Sequence, residues 1–135
     1  MMKIKIEWNE YQKMVNVLYN QIKQNGKEYD TIIALPRGGL PLATSLAHKL
    51  GIKNIDTYLR PKYFKSKILL VDDISDSGKT LEPYLELNCD IDVACLCYKP
   101  QTEIIPKYFA KVYNNDEWII FPWENEDSKM VRDNE

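Results

Sequence analysis

Three aspartates and a small-residue turn stand together near the middle of this chain: Asp72, Asp73 and Asp76, then Ser77-Gly78-Lys79-Thr80. Ahead of them runs Ile68-Leu69-Leu70-Val71, with the length and composition of a fully buried strand. Behind them, Lys79-Thr80 and Leu81 read as the first turn of a helix. A strand that ends in acid and turns through glycine into a helix outlines an anion and metal site. The turn's N–H groups, Ser75 to Thr80, and the helix N-terminus face a phosphate. The carboxylates face a hydroxylated sugar or Mg²⁺. Successive strand side chains point to opposite faces, so Asp72 and Asp73 are expected to share a ligand only if the chain leaves strand geometry there.

Ser77-Gly78-Lys79-Thr80 has the ending of a P-loop, whose full pattern is G-x-x-x-x-G-K-[ST]. Five positions before Gly78 stands Asp73, not glycine. The Walker reading therefore loses its weight. Two other polar elements deserve the same scrutiny. Pro36-Arg37-Gly38-Gly39 follows a β-branched run, Thr31 to Leu35, and Lys99 follows a continuous apolar run, Ile91 to Tyr98. Both runs read as buried strands. All three polar elements then fall at strand carboxyl ends, where ligands bind in parallel α/β sheets.

The elements that must position these residues are legible in the spacing. Lys3 to Trp8 alternates, with Ile4, Ile6 and Trp8 on one face of an expected strand. Asn9 with Gln12 has the form of a capping box for a helix over Glu10 to Gln24. Its apolar residues recur at three and four, and Asn25-Gly26 stops it. Leu40 to Leu50 predicts a second helix closed by Gly51. Ile52 to Leu59 is a weaker strand, and Arg60 to Lys67 a basic connection. Leu81 to Leu87 predicts a helix with Pro83 in its first turn. Lys111 to Tyr113 and Trp118 to Phe121 predict short strands around a turn at Asn114-Asn115-Asp116. Strands alternating with helices predict an α/β fold, a parallel-sheet core flanked by helices on both faces.

At 135 residues and 44% hydrophobic content, one domain with a real core is expected. A net charge of −2 argues against nucleic acid as a partner. No run reaches the ~18 apolar residues of a membrane span. Cys89, Cys95 and Cys97 are an odd number with C-x-C spacing, which fits reduced thiols in a cytoplasmic protein better than a zinc site.

Val71-Asp72-Asp73-Ile74-Ser75-Asp76-Ser77-Gly78-Lys79-Thr80 resembles the phosphoribosyl diphosphate (PRPP) motif of the type I phosphoribosyltransferases. Ala34 to Ala43, A-L-P-R-G-G-L-P-L-A, resembles the diphosphate loop of that family. Tyr98-Lys99-Pro100 with W-I-I-F-P-W-E, Trp118 to Glu124, is similar to the base-binding hood of its xanthine–guanine (6-oxopurine) branch. The resemblance implies one domain over 1–135, with a core near 28–100, a small hood from about 1–8 and 101–124, and a charged tail at 125–135.

It also implies roles. Asp72 and Asp73 hold the ribose hydroxyls, with Mg²⁺ close by. Asp76 meets the purine N7 as general base. Ser75, Asp76, Ser77, Gly78, Lys79 and Thr80 surround the 5′-phosphate. Arg37, Gly38 and Gly39 bind diphosphate, with a cis peptide before Arg37. Lys99 donates to the 6-oxo oxygen, Trp118 stacks on the base, and Ile74 and Ile119 complete its pocket. The partners implied are PRPP and a purine base or nucleotide, in a homodimer or homotetramer. One departure stands out: Arg60 to Lys67 is too short for the long lid of the family. Two functional classes follow, a purine phosphoribosyltransferase and a PRPP- or nucleotide-binding regulatory protein on the same fold.

Overall fold

The computed structural model describes residues 2–125. Seven strands and three helices follow one another as β1 (Met2–Lys5), α1 (Trp8–Asn25), β2 (Thr31–Ala34), α2 (Gly39–Leu50), β3 (Asn54–Asp56), β4 (Lys67–Ser75), α3 (Glu82–Leu85), β5 (Asp90–Tyr98), β6 (Lys111–Val112) and β7 (Glu117–Ile120) among these residues. A 3₁₀ turn, Pro61–Tyr63, sits between β3 and β4. The main sheet is parallel throughout, in the order β3-β2-β4-β5-β6. β1 and β7 pair in parallel as a second, two-stranded sheet.

The parallel core expected from the alternating pattern is present, and its two faces are covered unequally. On one face Leu69 and Val71 of β4 pack with Leu18 and Ile22 of α1 and Leu42 and Leu46 of α2. On the other, Ile68 and Leu70 meet Tyr63 of the 3₁₀ turn and Leu81 ahead of α3. β4 is therefore apolar at every position from Ile68 to Val71, as a strand covered on both sides must be. α1 ends where its stripe ends, at Gly26 in the left-handed region, φ 83°.

Three local expectations change. β1 stops at Lys5, and Trp8 opens α1 with 54% of its surface exposed, so it does not share a strand face with Ile4. The Ile6 N–H still bonds the Ile120 carbonyl at 2.9 Å, which carries the β1–β7 ladder one residue past Lys5, and the chain then enters α1 through its N-cap Glu7. The capping box does not form, since the N-cap is Glu7 without a side-chain bond, and Asn9 Oδ1 accepts from the adjacent Glu10 N–H at 2.9 Å. The helix expected over Leu81 to Leu87 is a single turn, Glu82–Leu85, preceded by a turn through Lys79–Leu81. A helix that short adds little dipole, so loop N–H groups must do the work assigned to its N-terminus.

Candidate active site

β4 carries the acid pair further along the strand than its apolar run suggests. Its pairing with β5 holds one register from Lys67↔Asp90 to Ser75↔Tyr98. The chain thus keeps strand geometry through Asp72 and Asp73, and the side chains leave on opposite faces. Asp72 lies towards α3: burial, then the Asp72 charge, raise the Tyr84 phenol above its ordinary value. Asp73 lies towards α2, where a Cβ on Gly38 would overlap Asp73 Oδ2 and stand 2.6 Å from its Cγ. The pair does not converge through a break in the strand. A single ligand reaches both only across the edge of β4. Both are nearly buried, at 7% and 6% exposure. β2 pairs only as far as Ala34↔Val71, and Asp72 Oδ1 accepts from the Asp73 N–H at 2.8 Å. Asp73 Oδ1 in turn accepts from the Ile74 N–H at 2.7 Å.

The Pro36-Arg37-Gly38-Gly39 loop abuts this pair. Its Pro36–Arg37 peptide is cis, as the resemblance implied, and Arg37 is exposed. The two glycines are there for approach rather than for φ. Gly38 is helical, at φ −60° and ψ −30°. A Cβ on Gly39 would overlap the Val71 carbonyl oxygen and lie 3.1 Å from Asp72 Cα. Removing two side chains lets the loop and the first turn of α2 lie directly on the acidic end of β4.

The turn after β4 does need positive φ, at Gly78 (86°), and a Cβ there would stand 2.8 Å from the Ile104 N. The Gly78 carbonyl accepts from Leu81 N at 3.2 Å and Glu82 N at 3.0 Å. Lys79 N bonds Ser77 Oγ at 3.2 Å, and Lys79 is exposed. The turn is braced from behind by the segment after β5: Glu103 N bonds the Ser77 carbonyl at 3.0 Å, and Lys99 N the Ser75 carbonyl at 3.1 Å. Ser75 belongs to this brace. Its hydroxyl donates to the Ile104 carbonyl at 2.7 Å and meets Thr102 Oγ1 at 2.7 Å. It is 1% exposed, so its hydroxyl supports the turn from inside.

Asp76, Lys99 and Trp118 come together from three separate segments. Lys99 Nζ stands 3.7 Å from Asp76 Oδ2 and 6.0 Å from the Trp118 ring centroid. All three are nearly buried, with Lys99 at 2% exposure. A buried ammonium is tolerable only beside such a carboxylate, and the aromatic face adds to its stabilisation. Ile74 and Ile119 are buried alongside. Gln101, which no pattern in the sequence singles out, completes this corner: its Nε2–H donates to Asp76 Oδ1 at 2.6 Å. Thr102 and Ile104 were equally illegible, because their part is to brace a turn that lies more than twenty residues earlier.

The connection from Arg60 to Lys67 is fastened down. Asp56 Oδ2 accepts from Arg60 Nε at 2.8 Å and from the Tyr63 hydroxyl at 2.9 Å. These bonds hold the Asp56 carboxyl well below the usual range. Tyr63 is buried in the core against Leu35, so it is no part of a free lid. A groove of about 710 Å³ lies at the opposite end of the sheet, between the C-terminal ends of α1 and α2, and contains none of these residues.

The donor set at β4 suits Mg²⁺, which takes one or two carboxylates and completes its shell with water and substrate phosphates. Among the described residues no group of three or more His, Cys, Asp or Glu side chains gathers as an all-protein metal cage. Asp72 and Asp73 therefore fit a cation shared with a bound diphosphate, and would be its protein ligands. No helix among the described residues is long and apolar enough to cross a membrane.

Known proteins are similar to this chain in sequence and in fold. The chain is 27% identical to the xanthine-guanine phosphoribosyltransferase of Gluconobacter oxydans, over 88% of this chain and 83% of that one. The crystal structure of a purine phosphoribosyltransferase from Pyrococcus horikoshii superposes with a TM-score of 0.80 at 30% identity, covering 93% of this chain and 96% of that one. A hypothetical protein from Neisseria gonorrhoeae with bound ppGpp has the same fold, with a TM-score of 0.77 at 24% identity, over 93% and 91% of the two chains. The model of the phosphoribosyl transferase domain matches residues 51–128, from just after α2 through β4, β5 and Lys99 to beyond β7. By that match and by its fold, this chain belongs to the phosphoribosyltransferases, enzymes that transfer a phosphoribosyl group.

Proposed function

We propose that this chain transfers the 5-phosphoribosyl group of PRPP to a 6-oxopurine (xanthine, guanine or hypoxanthine), releasing diphosphate and the nucleoside monophosphate. The observation that carries the reading is the buried corner where Lys99 Nζ lies between Asp76 and the Trp118 ring, beside the glycine turn. Lys99 offers a proton to an oxygen acceptor, which a 6-oxopurine presents and adenine does not. Asp76 accepts an N–H. Trp118 offers a ring face, and the main chain of Ile119 and the side chain of Ile74 close the pocket. The names of the Gluconobacter and Pyrococcus relatives support a purine acceptor.

In this reading the turn from Ser77 to Thr80 wraps the 5′-phosphate with main-chain N–H groups and the Thr80 hydroxyl. Asp72 and Asp73 orient the ribose hydroxyls. Arg37, with the N–H group of Gly38, takes the diphosphate; the Gly39 N–H is already given to the Leu35 carbonyl at 2.8 Å, so Gly39 serves by its lack of a side chain. Asp72 and Asp73 would hold Mg²⁺, which would supply charge neutralisation of the leaving group. The purine nitrogen then bonds to C1 as the C1–oxygen bond to diphosphate breaks, and the diphosphate departs with the electron pair. Asp76 holds the proton that the purine gives up. Alignment of the two reactants supplies much of the rate, and preorganised donors around the charged groups supply the rest.

The nucleotide-binding regulatory reading is favoured by one feature, the short connection held by Asp56 in place of a long closing segment. The ppGpp bound to the Neisseria neighbour supports it too, since that ligand is a purine nucleotide bearing diphosphates on ribose. A homodimer or homotetramer belongs to the proposal as well: Tyr58, just before this connection, and Phe64 within it, 67% and 47% exposed, offer apolar surface to a second copy. Reduced thiols suit a cytoplasmic setting. The deciding experiment is a spectrophotometric assay with PRPP, Mg²⁺ and, in turn, xanthine, guanine, hypoxanthine, adenine and orotate. Turnover of oxopurines alone is the expected result. PRPP binding by calorimetry with no base consumed would leave the regulatory reading in place.

A further inference from the structure

Asp76 has two carboxylate oxygens, and they have unlike partners. Oδ2 faces Lys99, which is 2% exposed and fixed in the corner. Oδ1 takes the Gln101 Nε2–H at 2.6 Å, from a residue at the surface. Oδ1 is therefore the oxygen an incoming N–H donor can reach, and Gln101 already holds it. The contact is a charge-assisted one, the strong kind.

Gln101 is placed to swing. Its main chain is pinned: its own N–H bonds Asn115 Oδ1 at 3.1 Å, and on either side Lys99 N and Glu103 N bond the carbonyls of Ser75 and Ser77. The side chain alone reaches back over Asp76, so rotation about its own bonds uncovers Oδ1 without moving the turn or the hood. A carboxamide N–H and a purine N–H make the same demand on a carboxylate. Only one of them can take the in-plane position on Oδ1 at hydrogen-bond distance.

We propose that Gln101 is an internal competitor of the purine, a residue that sets base affinity by holding Asp76 Oδ1 until an N–H donor displaces it. The proposal rests on the reading of Asp76 as the group that meets the base. Among the described residues Gln101 hydrogen-bonds Asp76 and Asn115, not Ser77–Thr80 or Arg37, so PRPP affinity is expected to change little on its loss.

The test is steady-state kinetics of Gln101→Ala with guanine or xanthine at saturating PRPP and Mg²⁺, with PRPP affinity measured by calorimetry. KM for the base falls about three- to tenfold, and PRPP affinity stays within twofold of wild type. In an Asp76→Asn background the same substitution leaves base KM unchanged, because the charge-assisted contact is already gone. A base KM that is unaltered or raised in Gln101→Ala, or a kcat that falls while KM holds, overturns the proposal and makes Gln101 a prop for Asp76. If wild type consumes no base at all, the transferase reading fails instead, and the two failures are told apart by that control.

Discussion

Gly38→Ala separates the job proposed for the Pro36-Arg37-Gly38-Gly39 loop from the stability of the fold. The backbone at Gly38, φ −60° and ψ −30°, is one that alanine adopts freely. On that count alone the change stabilises the chain by about 0.4–1 kcal/mol, through the unfolded state. The whole penalty is steric and falls on Asp73. The new Cβ would overlap Oδ2 and stand 2.6 Å from Cγ, where ordinary contact begins at 3.4 Å. Asp73 has a short side chain with no flexible far end, so its carboxylate must move by about 1 Å and strain its bond from the Ile74 N–H, 2.7 Å long. A displacement of roughly 1 Å in a positioning group costs on the order of 10²-fold in rate. The expected outcome is a fall of about 10²-fold in kcat/KM for PRPP, with the thermal midpoint within roughly 4 °C of wild type, about 1 kcal/mol for a chain of this size. The assay is turnover against PRPP concentration, paired with thermal denaturation followed by circular dichroism. A folded variant whose PRPP kinetics match wild type would refute the assignment of Asp73 to the ribose–diphosphate site. Gly39→Ala is the contrast, because its Cβ meets main chain, the Val71 carbonyl and Asp72 Cα. Main chain in the central strand cannot yield, so Gly39→Ala should lose about 1–3 kcal/mol of stability by urea denaturation.

Asp76→Asn should lower kcat by on the order of 10²–10⁴-fold while PRPP affinity changes little. An equal loss in both, by kinetics and calorimetry, would remove Asp76 from the base. Lys99→Ala should erase the preference for oxopurines over adenine in the base panel, and unchanged selectivity would count against the 6-oxopurine assignment. Asp92 tests the frame rather than the site. Burial raises its pKa, but bonds from Tyr29, Lys27 and Lys107 outweigh burial and hold it below the ordinary aspartate value of 3.8. A carboxylate depressed in the folded state stabilises the protein above its unfolded value and loses that contribution as pH falls through the folded one. Wild type should therefore lose stability in urea as pH drops below about 3.8. Asp92→Asn should be weaker at neutral pH, by about 1–3 kcal/mol, and flatter across the acid range. An identical pH profile for the two proteins would show that this cluster does not govern acid unfolding.

The parts of the site that were legible from residues alone are those that are contiguous in sequence. In the proposed function the acid pair, Asp76 and the turn from Ser77 to Thr80 serve one ligand through adjacent side chains and main-chain N–H groups, so their spacing carries the chemistry directly. Helix and strand periods were legible for the same reason, since α1 buries its stripe from Tyr11 to Ile22 against a single face. Expectations failed where a distant partner overrode a local pattern. Trp8 continues an alternation with Ile4 and Ile6, yet it opens α1, where its ring meets Tyr11 edge-on and lies near the distant Trp123. Ser75 reads as one more anion-facing hydroxyl, yet it is drawn inward by Thr102 and Ile104.

The sequence by itself determined the alternating α/β order, the buried strand that carries the acids and the glycine turn behind it, because each is a local matter of period, side-chain size and φ. Only the tertiary structure decided three things. It put Asp72 and Asp73 on opposite faces of an unbroken strand. It gave Gly38 and Gly39 their purpose, as room for α2 to lie on that strand. It brought Lys99 and Gln101 onto Asp76, and the Trp118 ring against Lys99. These depend on which strands are neighbours and in what register, and β4 reaches β5 and the hood only through crossovers whose geometry no short window of residues contains.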